Sequence, residues 1–240
     1  MTVISKAEWL AVKDTEVVDP RPEGGSYTGR GPWGPLPCPV LERVAAGVAR
    51  LPSGHVVLLG GYDAHGEITD AIEVFNPAQK KNPAWKAFSP PTLPTRRYGC
   101  VGCVLRGASP QLLVLGGADY DDRSVATVDA LAIGKKGDGE GDWTSLPPMQ
   151  QSRQRFGAVV LADGRSVLAV GGVEMGIRLA SCELYTAGGA WEQVPPLSLG
   201  PREDFGCCVL SDGTVLVAGG VGPKGAVLQS AETYDPVRPT

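Results

Sequence analysis

Apolar residues in this chain come in short runs closed by turn residues. "RFGAVVLADGRSVLAVGG", Arg155 to Gly172, shows the unit: two apolar runs, an Asp-Gly turn between them and a glycine pair at the end. "DFGCCVLSDGTVLVAGG", Asp204 to Gly220, writes it again. Asp-Gly between apolar runs is a strong hairpin signal. Glycine pairs close such runs at Gly60-Gly61, Gly116-Gly117, Gly171-Gly172 and Gly219-Gly220, at steps of 56, 55 and 48 residues. The turns within the four units are Pro52-Ser53-Gly54, Arg106 to Pro110, Asp163-Gly164 and Asp212-Gly213. A polar loop follows each pair, then a third run with an acid: "AIEVFNP", "TVDALAI", "SCELYTA" and "AETYDP". A fourth stretch carries Trp85, Trp143 or Trp191. The runs are nearly continuous in apolar residues, which suits strands covered on both faces.

Each unit predicts four antiparallel strands. One such sheet cannot bury its two faces alone; stacked copies bury them for one another. This pattern, over residues 43 to 236, resembles the kelch repeat, whose period is about 50 residues. The resemblance implies an all-β fold, a β-propeller of four-stranded antiparallel blades around a channel. Four repeats are recognisable, making either a small closed ring or an incomplete one. Residues 1–42 read as an N-terminal segment with blade-completing strands and residues 43–240 as the propeller. "TEVVDP", Thr15 to Pro20, reads as a degenerate third strand, and "WGPLP", Trp33 to Pro37, as a fourth. Trp33 is expected to supply the strand missing after Tyr234. The insert "GKKGDGEGD", Gly134 to Asp142, reads as a flexible loop.

Composition narrows the function. The 33 glycines and 21 prolines sit between apolar runs, so they mark turns rather than disorder. A net charge of −4 does not suggest a nucleic-acid or anionic-membrane binder. No apolar run approaches the roughly 20 residues of a membrane helix, so no membrane insertion is expected. "MTVISKAEWLAV" is interrupted by Lys6 and Glu8 and makes a poor signal peptide. Six cysteines are too sparse for a disulfide scaffold, and a reducing, cytoplasmic compartment is expected.

Two residue sets carry candidate chemistry. Arg43, Arg97, Arg155 and Arg202 recur near the start of each first strand, which the propeller places nearest its axis. They read as a cationic ring at the channel mouth that grips a carboxylate, or as structural arginines paired with Glu73, Asp129, Glu183 and Glu232. Recurrence of both partners once per repeat favours the second reading. The loops after the glycine pairs differ while the frame repeats, as recognition loops do. Their candidate contacts are Tyr62, Asp63, His65, Glu67 and Asp70; Asp119, Tyr120, Asp121, Asp122 and Arg123; Glu174 and Arg178; and Lys224. The first two loops are acidic and form a sector for a basic partner surface, set against ordinary solvated loop charge.

Other chemistry finds little support. Some kelch-like propellers are copper oxidases with tyrosine and histidine ligands at one site. The two histidines here, His55 and His65, lie at opposite ends of a strand roughly 20 Å long. Cys100 and Cys103 form a lone CxxC whose members point to opposite faces of a strand. They read as small buried hydrophobes, as do Cys182, Cys207 and Cys208. No metal and no cofactor is expected, and no nucleophile elbow or phosphate loop appears. The resemblance implies a non-catalytic protein-interaction module, a scaffold or accessory subunit of a multi-subunit complex that binds other proteins through its loops. The alternative is a carbohydrate-active enzyme of sugar mutarotase or oxidase type, using the channel mouth.

Overall fold

A computed structural model describes residues 15–18, 33–79, 81, 83–134 and 138–237. Every repeated hairpin forms where the pattern places it. In the first blade β4 (Gly47–Arg50) pairs with β5 (Val56–Leu59), and β7 (Ala71–Phe75) and β8 (Trp85–Thr92) extend the sheet outward. The second blade is β9 (Val101–Leu105), β10 (Gln111–Leu115), β11 (Val128–Ile133) and β12 (Gly139–Leu146). The third is β13 (Gly157–Val160), β14 (Ser166–Val170), β17 (Cys182–Thr186) and β18 (Trp191–Val194). The last has three strands, β19 (Gly206–Val209), β20 (Val215–Ala218) and β21 (Ala231–Tyr234). Short pairs flank this frame: β3 (Arg43–Val44) with β6 (Tyr62–Asp63), and β15 (Val173–Glu174) with β16 (Ile177–Arg178).

The first strands neighbour one another in chain order, β4 beside β9, β9 beside β13 and β13 beside β19. This is a four-bladed β-propeller arrangement. Three apolar layers lie between the blades. Leu59 and Ile72 of the first blade meet Leu112 and Leu131 of the second. Leu113 and Leu115 meet Val167 and Tyr185 of the third. Leu168 and Val170 meet Val215 and Val217 of the last. Central strands β10 and β14 are accordingly buried along almost their whole length.

The glycine pairs lie where blades touch. Gly171 and Gly172 have φ of 57° and 96°, a region that favours glycine. A Cβ on Gly171 would stand 2.8 Å from the Arg202 carbonyl oxygen of the next blade. The indole N–H of Trp191 donates to the Pro147 carbonyl of the blade before it (3.0 Å), and that of Trp143 to the Thr92 carbonyl (3.1 Å).

Two expectations need correction. Trp33 lies in β2 (Trp33–Leu36), which pairs antiparallel with β1 (Thr15–Val18), so the last blade has three strands among the described residues. The two segments satisfy each other's backbone instead of capping β21. The insert from Gly134 is also not all loop. Its end, from Gly139, is the start of β12, which joins β11 through a register shift between Ala130 and Ala132.

Candidate functional site

Each first strand is preceded, four residues earlier, by a buried arginine: Arg43, Arg97, Arg153 and Arg202. The third differs from the expectation. Arg153, not Arg155, pairs with Glu183, at 2.6 Å. Arg97 pairs with Asp129 at 2.6 Å and Arg202 with Glu232 at 3.1 Å; Arg43 pairs with Glu73. The guanidinium also donates to the carbonyl of the first glycine of its own pair, as from Arg153 to Gly171 (2.8 Å) and from Arg202 to Gly219 (3.1 Å). The acid accepts backbone N–H groups from the segment leading into the blade, Gln150 and Gln151 at Glu183. Arg43, Arg97 and Arg202 are therefore staples enclosed by their own blades. Only Arg155, of the four arginines expected at the mouth, reaches that mouth.

Arg155 stands two residues after the staple position, at φ 54°. Ala45, Gly99 and Asp204 hold the same place, with φ of 55°, 60° and 53°. These four residues form a chain of backbone hydrogen bonds around the axis. The Gly99 N–H donates to Ala45 (2.8 Å), the Arg155 N–H to Gly99 (3.1 Å) and the Asp204 N–H to Arg155 (3.1 Å). Arg155 then ties two blades through its side chain. It donates to Asp204 and lies 3.1 Å from Glu203, which Arg178 meets at 2.5 Å from its other side. Two cations against two carboxylates leave no free cationic ring to grip an anion.

The loops after the glycine pairs share this end. Backbone bridges join Tyr98 to Ala118, Gln154 to Val173 and Glu203 to Val221, each linking a loop to the segment just before a first strand. Side chains link neighbouring loops as well. Tyr62 and Tyr98 pack with ring centroids 4.2 Å apart. The Tyr98 hydroxyl donates to Asp122, and the Ser124 hydroxyl donates to the Val173 carbonyl (3.0 Å). Burial, with Asp122 nearby, pushes the Tyr62 hydroxyl up to about 12.

Much of the acidic sector is occupied within its own loops. Asp63 accepts the backbone N–H groups of His65 and Glu67, both at 2.9 Å. Asp119 accepts those of Asp121 and Arg123, both at 3.0 Å, and Asp121 pairs with Arg123. Asp70 lies 3.8 Å from Arg96. Glu174 is held below the usual carboxylate range by hydrogen bonds from Ser152 and Gln151. His65, Glu67 and Lys224 are exposed. His55 lies elsewhere, against the Ser53 hydroxyl at 2.7 Å. No group of three or more metal-ligating side chains gathers among the described residues.

The loop tips carry a feature that the charge pattern hid. Tyr120 is 70% exposed, Met175 81%, Ile177 69% and Val227 87%. Single exposed apolar residues are common on surfaces. Here Tyr120 of the second blade and Met175 and Ile177 of the third stand together at one end, which makes a crown; Val227 holds the place of Ile68, Ser124 and Arg178, each of which contacts the following blade. The sequence signal was a bulky apolar residue beside a loop glycine, as in Met175-Gly176-Ile177.

The far ends of the first strands enclose a cavity of about 810 Å³ lined by Leu51, Val104, Val160, Val209, Arg50 and Arg106 among others. No carboxylate or imidazole lines it. Cys100 and Cys103 are buried in different apolar layers, on opposite sides of the second blade. Cys182 is also buried, but Cys207 is half-buried and Cys208 exposed, against expectation, because no blade among the described residues covers the outer face of β19.

No protein-family model matches the chain. No curated protein matches it either. Among solved structures the chain is similar to one described as "Structure of YjhT", with a TM-score of 0.65 and 13% sequence identity, over 83% of this chain and 68% of that one. At that identity the likeness shows the fold alone, a β-propeller-like architecture.

Proposed function

We propose that this chain is a non-catalytic protein-interaction module of kelch type, a scaffold or accessory subunit that binds a protein partner through the loop crown. The observation that carries this reading is the set of exposed apolar tips, Tyr120, Met175 and Ile177, on loops fixed by a repeated frame. Apolar groups held in water at one end of a rigid scaffold mark an interaction site. Aromatic and methionine side chains are also the types enriched in interface cores. The loops differ in sequence, so each blade offers its own contact.

The mouth supports the same reading. A sugar-directed enzyme needs an acid or base free to move a proton. Glu203 and Asp204 are instead paired with Arg178 and Arg155, and the large cavity has no carboxylate.

The test compares the tagged chain with a Met175→Asp plus Ile177→Asp variant in native extract, with mass spectrometry of what each retains. A stoichiometric protein held by the wild type and lost by the variant supports the reading. Retention of no protein by the wild type, or equal retention by both, contradicts it.

A further inference from the structure

We infer that the outer face of the last blade docks a second copy of this chain head to tail, last blade against first. Val227 belongs to this face, because its counterparts Ile68, Ser124 and Arg178 each contact the following blade; the crown reading stands on Tyr120, Met175 and Ile177, so either can fail alone.

The three junctions between blades follow one backbone rule. The second glycine of each pair donates its N–H to the staple-arginine carbonyl of the next blade: Gly61 to Arg97 (2.9 Å), Gly117 to Arg153 (2.9 Å) and Gly172 to Arg202 (2.8 Å). In return, the residue two after that arginine donates to its counterpart in the blade before, as from Asp204 to Arg155 (3.1 Å). At the last blade both halves of the rule stand open. Neither the Gly220 N–H nor the Asp204 carbonyl has a backbone partner among the described residues. The first blade carries the matching groups. The Arg43 carbonyl is the counterpart of those of Arg97, Arg153 and Arg202, and the Ala45 N–H has no acceptor among the described residues.

Side chains repeat the pattern. Leu51, Leu105 and Leu161 close the first strands of three blades at 2%, 4% and 8% exposure, while Leu210, at the same position, is 37% exposed. Cys208 is exposed where Ala49 and Cys103 are 5% and 6% exposed. Ala231 is exposed where Ile72, Val128 and Cys182 are buried. At the other end of the arc, Val48 of the first blade is 54% exposed. A Cβ on Gly60, Gly116 or Gly171 would meet the next blade's arginine carbonyl at 2.3, 2.5 or 2.8 Å. On Gly219 it would meet nothing nearer than 3.7 Å. The fourth glycine pair holds open the space that a following arginine carbonyl fills in the other three.

One chain thus presents both halves of an interface that its own blades use three times. Because the halves differ, the contact is heterologous. A second copy fits it by chemistry: an apolar blade face, one carbonyl for Gly220 and one N–H for Asp204.

The experiment is sedimentation velocity on the full chain over a concentration series, with the single variants Gly219→Asn and Val48→Lys. Asparagine tolerates positive φ, so Gly219→Asn keeps its monomer fold, checked by circular dichroism, while its Cβ blocks the docking carbonyl. The wild-type mass is expected to rise with concentration above the 25.0 kDa of one chain. Each variant weakens association about tenfold or more. An equimolar mixture of the two variants regains a pair, because the intact first blade of one meets the intact last blade of the other. In a Cys38→Ser background, alkylation of Cys208 slows as association proceeds. A wild type of monomer mass at all concentrations overturns the inference, as does a mixture that stays monomeric or a Gly219→Asn variant that associates like the wild type.

Discussion

Arg153 and Glu183 meet at 2.6 Å with neither side chain exposed to solvent. Removing one partner leaves the other charge buried and uncompensated. Arg153→Met alone, or Glu183→Gln alone, is expected to lower the free energy of unfolding by about 3–5 kcal/mol. The double variant recovers part of that loss, because no orphan charge remains. Arg155→Ala breaks the half-exposed contact with Asp204, while buried Glu203 keeps Arg178 at 2.5 Å, and costs about 1 kcal/mol or less. Urea unfolding followed by tryptophan fluorescence separates these cases. Equal losses at Arg153 and Arg155 would refute the assignment of staple and mouth residue.

Gly171 and Gly176 both have positive φ, 57° and 79°, but differ in their surroundings. A Cβ on Gly176 meets nothing within 4 Å, so Gly176→Ala carries only the backbone cost of about 1–2 kcal/mol. Gly171→Ala must also displace the Arg202 carbonyl, for a total of about 2–4 kcal/mol. The same melts measure the difference.

The buried thiols set the alkaline limit of the fold. Burial pushes Cys103 and Cys207 up to about 12 and Cys182 to about 11. In the unfolded chain these thiols ionise near pH 8.5, a typical value for free cysteine. Between those limits the native state holds protons that the unfolded state has released, so stability falls as pH rises. Each of the three costs up to about 1.4 kcal/mol per pH unit there. Stability measured from pH 8 to 11 should decline, and a Cys103→Ala variant should decline less steeply. Native alkylation at pH 8 should label Cys38 and Cys208, the two exposed cysteines, ahead of the rest.

Met175 and Ile177 are exposed at 81% and 69%. Substituting either with aspartate is expected to change stability by no more than about 0.5 kcal/mol. A large loss of stability would mean that these tips support the loop rather than face a partner.

The period and the hairpins were legible because each blade repeats the same turn and glycine chemistry. The staple pairs were legible at Arg43, Arg97 and Arg202. At the third blade two arginines compete, Arg153 and Arg155, and nearness to the start of the first strand alone pointed to Arg155. Distance to the first strand, four residues in all blades, selects Arg153. The mouth was hidden because its residues, Ala45, Gly99, Arg155 and Asp204, share a backbone conformation and no side-chain type. The open last blade was hidden too. Cys208 and Leu210 stand in the same apolar pattern as Cys103 and Leu105, and they are exposed because no described blade lies against them. The pairing of β1 with β2 followed from a register that no single-strand pattern encodes.

The central claim is that the loop crown is the protein-binding surface. The most direct measurement places a photo-crosslinking amino acid at position 175 or 177, with position 192 on the exposed outer strand β18 as control, and irradiates the chain in native extract. The account predicts one protein adduct shared by 175 and 177 and absent from 192. No adduct from the crown, or the same adduct from 192, would contradict it.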